Sequence, residues 1–314
     1  MQYYQEQIAL GSKTGLSIVS TAESSQVGLL YNELWRSIFM FERQFSRFLP
    51  GSELSMLNRN AGAKQVISSE FREILLAASR LAQETGGLYN PFILPALQAS
   101  GYSHSRVPGH EQDAVDDHSK KAVTSIDKLE VGDDWARIPY GTAIDLGGCG
   151  KGYLADQLRS QLPEIVTGYW LSFGGDIVVG GKDDQGQNWT VNIEAADDPG
   201  KNIGTIMSSS ACGVATSGTT VHKGKKARKS WHHIIDPRTR QPAETDVLLA
   251  TVCHDSALYA DVLASCAVIL GSQQGIPFLK QHAVKSAVLQ CQSRDGTTRT
   301  MHFGNAIIND NNHA

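Results

Sequence analysis

Thr142–Asp156 reads TAIDLGGCGKGYLAD. An apolar, strand-like run leads through Asp145 into Gly147, Gly148, Gly150 and Gly152. Lys151 stands among them, and an amphipathic helix pattern follows. Glycines let a backbone approach a ligand closely, and the N–H groups of a helix start carry partial positive charge. A strand, a glycine-rich turn and a lysine at a helix start therefore point to a phosphate or nucleotide site. Two common templates fail. The P-loop requires glycine where Asp145 stands and Ser or Thr where Gly152 stands. Gly150–Ala155 fits G-x-G-x-x-A, but the strand before it carries Asp145. No acidic residue ends a second strand at the right distance for a dinucleotide fold. A helix start capped by Asp145 would explain the aspartate, but not four glycines and a lysine together.

Outward from this stretch the pattern is mixed. Tyr4–Leu10 and Gly15–Ser20 read as a hairpin around Gly11–Thr14. Apolar residues at helical spacing predict helices over 26–45 and through Phe71–Ala82, the second ended by Gly86 and Gly87. Residues 103–120, polar and rich in His and Asp, read as an exposed loop. Beyond 121 short strands are expected at 137–146, 169–180, 188–195, 203–211, 231–235, 247–253, 285–292 and 298–303. Helices are expected at 151–162, 256–270 and 273–282. Strands and helices without strict alternation argue for an α+β fold.

The 314 residues are 41% hydrophobic and 19% charged, with net charge -4. That suits a soluble globular chain and disfavours a nucleic-acid partner. The dense basic run Lys223–Lys229 is either a solvated loop or a clamp over an anion. Five separated cysteines signal neither zinc nor a disulfide framework. The N-terminus lacks a basic, then apolar, leader pattern, and no membrane span is expected. The expected compartment is the cytoplasm.

Further segments have site character. Leu171–Gly180 (LSFGGDIVVG) places Asp176 after two glycines. Ala215–Thr219 (ATSGT) offers hydroxyls and reads as a flexible turn. Trp231–Pro237 (WHHIIDP) sets His233 before a buried-looking Ile-Ile, with His232 as the surface member of the pair. Leu258–Gly271 (LYADVLASCAVILG) holds one acid, Asp261, with Ser265 one turn on. A lone carboxylate in so apolar a helix is costly unless paired or metal-bound.

With Leu10-Gly11-Ser12, Phe45–Asn58 (FSRFLPGSELSMLN) and Leu88–Leu97 (LYNPFILPAL), these segments resemble the FAD:protein FMN transferases, the ApbE-type family, over residues 8–271. The motif blocks D-L-G-G…K-G-Y, F-G-G-D, A-T-S-G, H-I-I-D-P and A-D-x-x-A-[ST] occur in the family's order. Asn90 replaces the commoner aspartate, Leu10 a methionine and Ser265 a threonine. The resemblance implies one two-lobed, T-fold-like domain over 1–314 with its active site in a cleft. It implies that FAD is cut at its pyrophosphate: FMN passes to a Thr or Ser hydroxyl of an acceptor protein bearing D-x-x-[ST]-G-A-[ST], and AMP leaves. Mg²⁺ would be held by Asp261, Ser265 and the Gly148 carbonyl. His233 and Asp261 would be catalytic. Leu10, Phe48, Leu88, Tyr89, Asn90, Asp145, Lys151 and Ile235 would contact FAD. Two other readings stay open: an FAD pyrophosphatase giving FMN and AMP, and a flavin-binding protein without catalysis. The chain's own ATSGTT lacks two defining positions of the acceptor motif, so it is not read as an acceptor.

Overall fold

The computed structural model describes residues 1–102, 123–208, 210–221, 223–226 and 229–309. The expected loop at 103–120 and part of the basic run lie outside the described residues. The strands are β1 (Gln2–Ala9), β2 (Ser12–Ser20), β3 (Gln65–Val66), β4 (Glu130–Val131), β5 (Trp135–Arg137), β6 (Val166–Phe173), β7 (Asp176–Gly181), β8 (Thr190–Glu194), β9 (Asn202–Met207), β10 (Cys212–Gly218), β11 (Lys223–Lys226), β12 (Lys229–His232), β13 (Ile235–Asp236), β14 (Gln241–Pro242), β15 (Val247–His254), β16 (Ser286–Gln292), β17 (Thr298–Phe303) and β18 (Ala306–Ile308). The helices are α1 (Ser24–Phe45), α2 (Glu53–Arg59), α3 (Ser69–Glu84), α4 (Leu94–Ser100), α5 (Gly150–Ser160) and α6 (Ala257–Gln281). The mixture is α+β, as expected. The chain divides into two compact units.

The first unit comprises Met1–Ser37, Lys151–Thr220 and Thr245–Ala314. Its frame is an eight-stranded sheet in the order β1-β2-β6-β7-β10-β15-β16-β17, antiparallel throughout. A smaller sheet, β18-β9-β8, shares a core with it through Val179, Val191, Ile206, Val214 and Val288. The first hairpin turns at Leu10–Gly11, not over Gly11–Thr14. Both turn residues have positive φ, 55° and 69°, the geometry that matches strand twist in a two-residue hairpin. ATSGT is not a flexible turn: Ala215–Gly218 lie within β10, between β7 and β15.

Helix α6 packs on β10 and β15. Gly213 permits this, because a Cβ there would meet Ala257 Cα at 2.3 Å. The two helices expected at 256–270 and 273–282 are the halves of α6, broken at Gly271 (φ 74°, ψ 174°). Ser256 caps the first half by accepting from Tyr259 N. Asp246 caps the second: Ser272 N–H donates to Oδ1 at 2.8 Å and Ser272 Oγ to Oδ2 at 2.5 Å. Among the described residues α6 is the one helix long and apolar enough to cross a membrane. More than half of that apolar stretch is buried within the protein.

The second unit comprises Ile38–Gly150 and Val221–Glu244. Phe41, Phe45 and Phe71 form an aromatic contact chain between α1 and α3. Ser52 and Ser68 cap α2 and α3 through their hydroxyls. Glu53 accepts from Gln44 Nε2 at 2.6 Å and from Ser68 N at 2.8 Å. The strand expected at 137–146 is mostly irregular; only β5 and a bridge at Thr142 form. The backbone of Ile144 is paired instead by a side chain. Its N–H donates to Asn58 Oδ1 and its carbonyl accepts from Asn58 Nδ2, each at 2.8 Å. The S-E-L-S-x-L-N block is thus largely a brace that holds the chain entering DLGG.

Candidate functional site

In the first unit two hairpin tips stand side by side. Gly174 N–H donates to Lys13 O at 3.0 Å, which ties the Gly174–Gly175 turn of F-G-G-D to the start of β2. A Cβ on Gly174 would lie 2.5 Å from Ser12 Oγ and 3.9 Å from Lys151 Nζ. Leu10, in the left-handed region that disfavours a side-chain-bearing residue, forms the neighbouring tip. Lys151, in the first turn of α5, makes an ion pair with buried Asp176. Gly152 brings α5 against the start of α6, since a Cβ there would meet Ala257 O at 2.5 Å.

Asp261 is 6% exposed. Burial first, and the nearby Asp176 carboxylate second, push its carboxyl well above the usual range; Lys151 and the Gly152 N–H oppose this. Its Oδ2 has no hydrogen-bond partner. One helical turn on, the Ser265 hydroxyl lies 2.8 Å from the Ser217 hydroxyl of β10. The structure therefore gathers Leu10, Lys151, Asp261 and Ser265 in one unit. It adds Asp176 of F-G-G-D and Ser217 of A-T-S-G. The donor set fits a hard divalent cation. A buried carboxylate oxygen without a hydrogen-bond partner is one ligand, and a hydroxyl on the same helix is another. No cluster of three or more His, Cys, Asp or Glu able to hold a metal occurs among the described residues. Mg²⁺ needs no such cluster, because it retains waters.

In the second unit Asp145 is fixed from two sides. Its Oδ1 lies 3.1 Å from Arg47 Nε, and its Oδ2 accepts from Gly147 N at 3.0 Å. A Cβ on Gly147 would sit 2.8 Å from Oδ2, so glycine leaves the carboxylate in place. Gly148 is in van der Waals reach of the Tyr89 ring, its missing Cβ lying 3.7 Å from Cε2. Half-buried Phe48 stacks beneath the Arg47 guanidinium, 4.2 Å from ring centroid to Cζ. Leu88 follows the positive-φ pair Gly86–Gly87 and is half-buried; Tyr89 is buried.

Asn90 caps the turn after it, accepting from Phe92 N at 3.0 Å, and donates from Nδ2 to Thr124 O at 2.9 Å. The second bond needs an amide, which gives the departure from aspartate a structural reason. Ile235 packs into a small core with Ala96 and Leu97, so what it offers a ligand is backbone. His233 follows β12 and is half-buried, its ring 6.2 Å from that of Tyr102. His232 is not the simple surface member of the pair. It is also half-buried, its Nε2 is 3.2 Å from Ala243 O, and burial pushes its pKa down.

The chain belongs to the ApbE family, whose profile matches residues 10–289. It is 26% identical over 254 residues to the FAD:protein FMN transferase of Salmonella typhimurium, covering 78% of this chain and 72% of that protein. The Haemophilus influenzae protein of the same name is 24% identical over 269 residues, covering 83% and 76%. Among solved structures, the apo form of the Pseudomonas stutzeri flavinyl transferase ApbE superposes with a TM-score of 0.79 at 21% identity. That match covers 96% of this chain and 94% of the other.

Proposed function

We infer that this chain is an FAD:protein FMN transferase. The observation that carries the reading is the ApbE match over residues 10–289 together with a buried, unpartnered Asp261 oxygen beside Ser265, Lys151 and Asp176. In the reaction an acceptor Thr or Ser hydroxyl attacks the FMN-side phosphorus of the FAD pyrophosphate. A new P–O bond forms, the bond to AMP breaks, and the hydroxyl proton passes to a base. Phosphoryl transfer depends mainly on positioning and charge neutralisation. Asp261, Ser265 and the Gly148 carbonyl would hold Mg²⁺, which supplies Lewis acidity when bound. Lys151, paired with Asp176, is oriented for an anionic oxygen. Asp145, held by Arg47 and Gly147, presents remaining lone pairs to N–H or O–H donors of the substrate. Phe48, Leu88 and Tyr89 supply ring contacts. Asn90 shapes the turn, and Leu10 and Ile235 contribute backbone. His233 takes the acceptor proton.

The acceptor is a protein with the D-x-x-[ST]-G-A-[ST] pattern. We place the enzyme in a reducing cytoplasm, supported by five cysteines that are all free thiols; recovery of the native protein outside the cytoplasm would overturn that. Incubation with FAD, Mg²⁺ and an acceptor peptide tests the activity. Labelled peptide with AMP supports transfer, AMP alone makes the protein a pyrophosphatase, and neither product makes it a binder.

A further inference from the structure

Ser217 and Ser265 meet across the contact between β10 and α6, with 2.8 Å between their hydroxyl oxygens. Small residues lay that contact down. It begins where Gly213 lies against Ala257. From there to the serine pair, four residues of strand rise about 13 Å and eight residues of helix about 12 Å, so the two stay in step. Ala257, Asp261 and Ser265 follow one another at four-residue spacing, along one stripe of α6. Ala215, buried midway between Gly213 and Ser217, has no polar side-chain group to offer Asp261.

Ser217 is 8% exposed, so its hydroxyl needs a partner. Mutual satisfaction would account for two serines brought together by packing alone. It does not account for Asp261. A helical serine can donate to the carbonyl four residues back, here that of Asp261. The Ser265 hydroxyl turns to the strand instead, and Asp261 Oδ2 stays buried without a hydrogen-bond partner. A hydroxyl carries one proton and two lone pairs. An oxygen that gives a lone pair to a cation must place its proton on another acceptor. Among the described residues, Ser217 Oγ is the acceptor within reach of Ser265.

Resting on the transferase reading above, we propose that Ser217 is a positioning residue for the cation site: its Oγ accepts the Ser265 proton, which fixes the Ser265 rotamer and keeps the Ser265 lone pairs for a divalent cation. The strand thereby orients a ligand that the helix carries.

Mn²⁺ takes the same oxygen ligands as Mg²⁺, and its free form is counted by electron paramagnetic resonance. It is titrated into the protein with FAD present and no acceptor, against a blank of FAD alone. Ser217→Ala removes the acceptor. Ser217→Cys replaces it with a weak one while filling the space, and thermal unfolding without metal checks both folds. Each variant should weaken Mn²⁺ by about tenfold to a hundredfold, the usual effect of losing a group that orients a metal ligand. In a Ser265→Ala background the Ser217→Ala change should add little, because the group it orients is gone. Wild-type Mn²⁺ affinity in either Ser217 variant overturns the proposal and leaves the transferase reading intact. So does a Ser217→Ala loss that is as large in the Ser265→Ala background. A wild-type protein that takes up no Mn²⁺ beyond the blank, or an Asp261→Asn variant that binds it as wild type does, overturns the metal site and the proposal together.

Discussion

Asp261 and His233 bear the clearest expectations at the scale of single residues. Asp261→Asn removes the charge that a cation would meet, yet fills the same volume in a helix whose packing is otherwise apolar. AMP release in Mg²⁺ should fall by at least about a hundredfold with an unchanged fold by circular dichroism. Full turnover at saturating Mg²⁺ would remove Asp261 from the metal site. His233→Ala should lower transfer to the acceptor peptide by about 10²–10⁴, the usual worth of a general base, with FAD affinity unaltered. If affinity and transfer fall together, the ring's contact with Tyr102 is structural. The sequence exposed Asp261 because an acid in so apolar a helix is conspicuous. It hid Arg47, because a basic residue in a polar loop block looks solvated until its burial is seen.

Elements were legible where their own periodicity decided them. Helix α3 buries Phe71, Ile74, Leu75, Ala78, Leu81 and Ala82, the residues whose spacing predicts it. Strand β10 was missed because it is built of small residues. Gly213 faces Ala257, Ala215 is buried, and no polar–apolar alternation survives. Gly213→Ala should therefore cost about 1–3 kcal/mol through overpacking, read as a lowered Tm; an unchanged Tm would mean that α6 shifts freely on the sheet. The irregular 137–146 run deceived in the other direction. Its apolar residues suit a strand, but Asn58 supplies the partner that a neighbouring strand would.

The break in α6 carries a pH signature. Burial opposes ionisation of Asp246, but the bonds from the Ser272 hydroxyl and N–H outweigh it and hold the carboxyl below the usual range. A depressed folded pKa gives stability that is present above the unfolded value and lost as pH falls through the folded one. Asp246→Ala should lower stability by about 0.5–2 kcal/mol, the value of a cap, above about pH 5. The difference from wild type should close as pH falls below the usual carboxylate range and through the depressed folded value. A gap that persists in acid would show that shape, not charge, is what Asp246 provides.

For the whole molecule, the α+β class follows from strands and helices that do not alternate, whereas the sheet order does not. Neighbours such as β2 with β6, or β10 with β15, are joined by pairings far apart in the chain that no local pattern encodes. Lys151, Asp176, Asp261 and Ser265 belong to the first compact unit, and Asp145, Gly148 and His233 to the second. Under the proposed function all of them serve one transfer of FMN. Its most direct measurement is the intact mass of an acceptor peptide after incubation with the protein, FAD and Mg²⁺, with AMP quantified in the same tube. The expected result is a peptide heavier by one phosphoester-linked FMN, one AMP per modified peptide, and no modification when the acceptor Thr is replaced by Ala. AMP formed at the same rate with no change in peptide mass would contradict it.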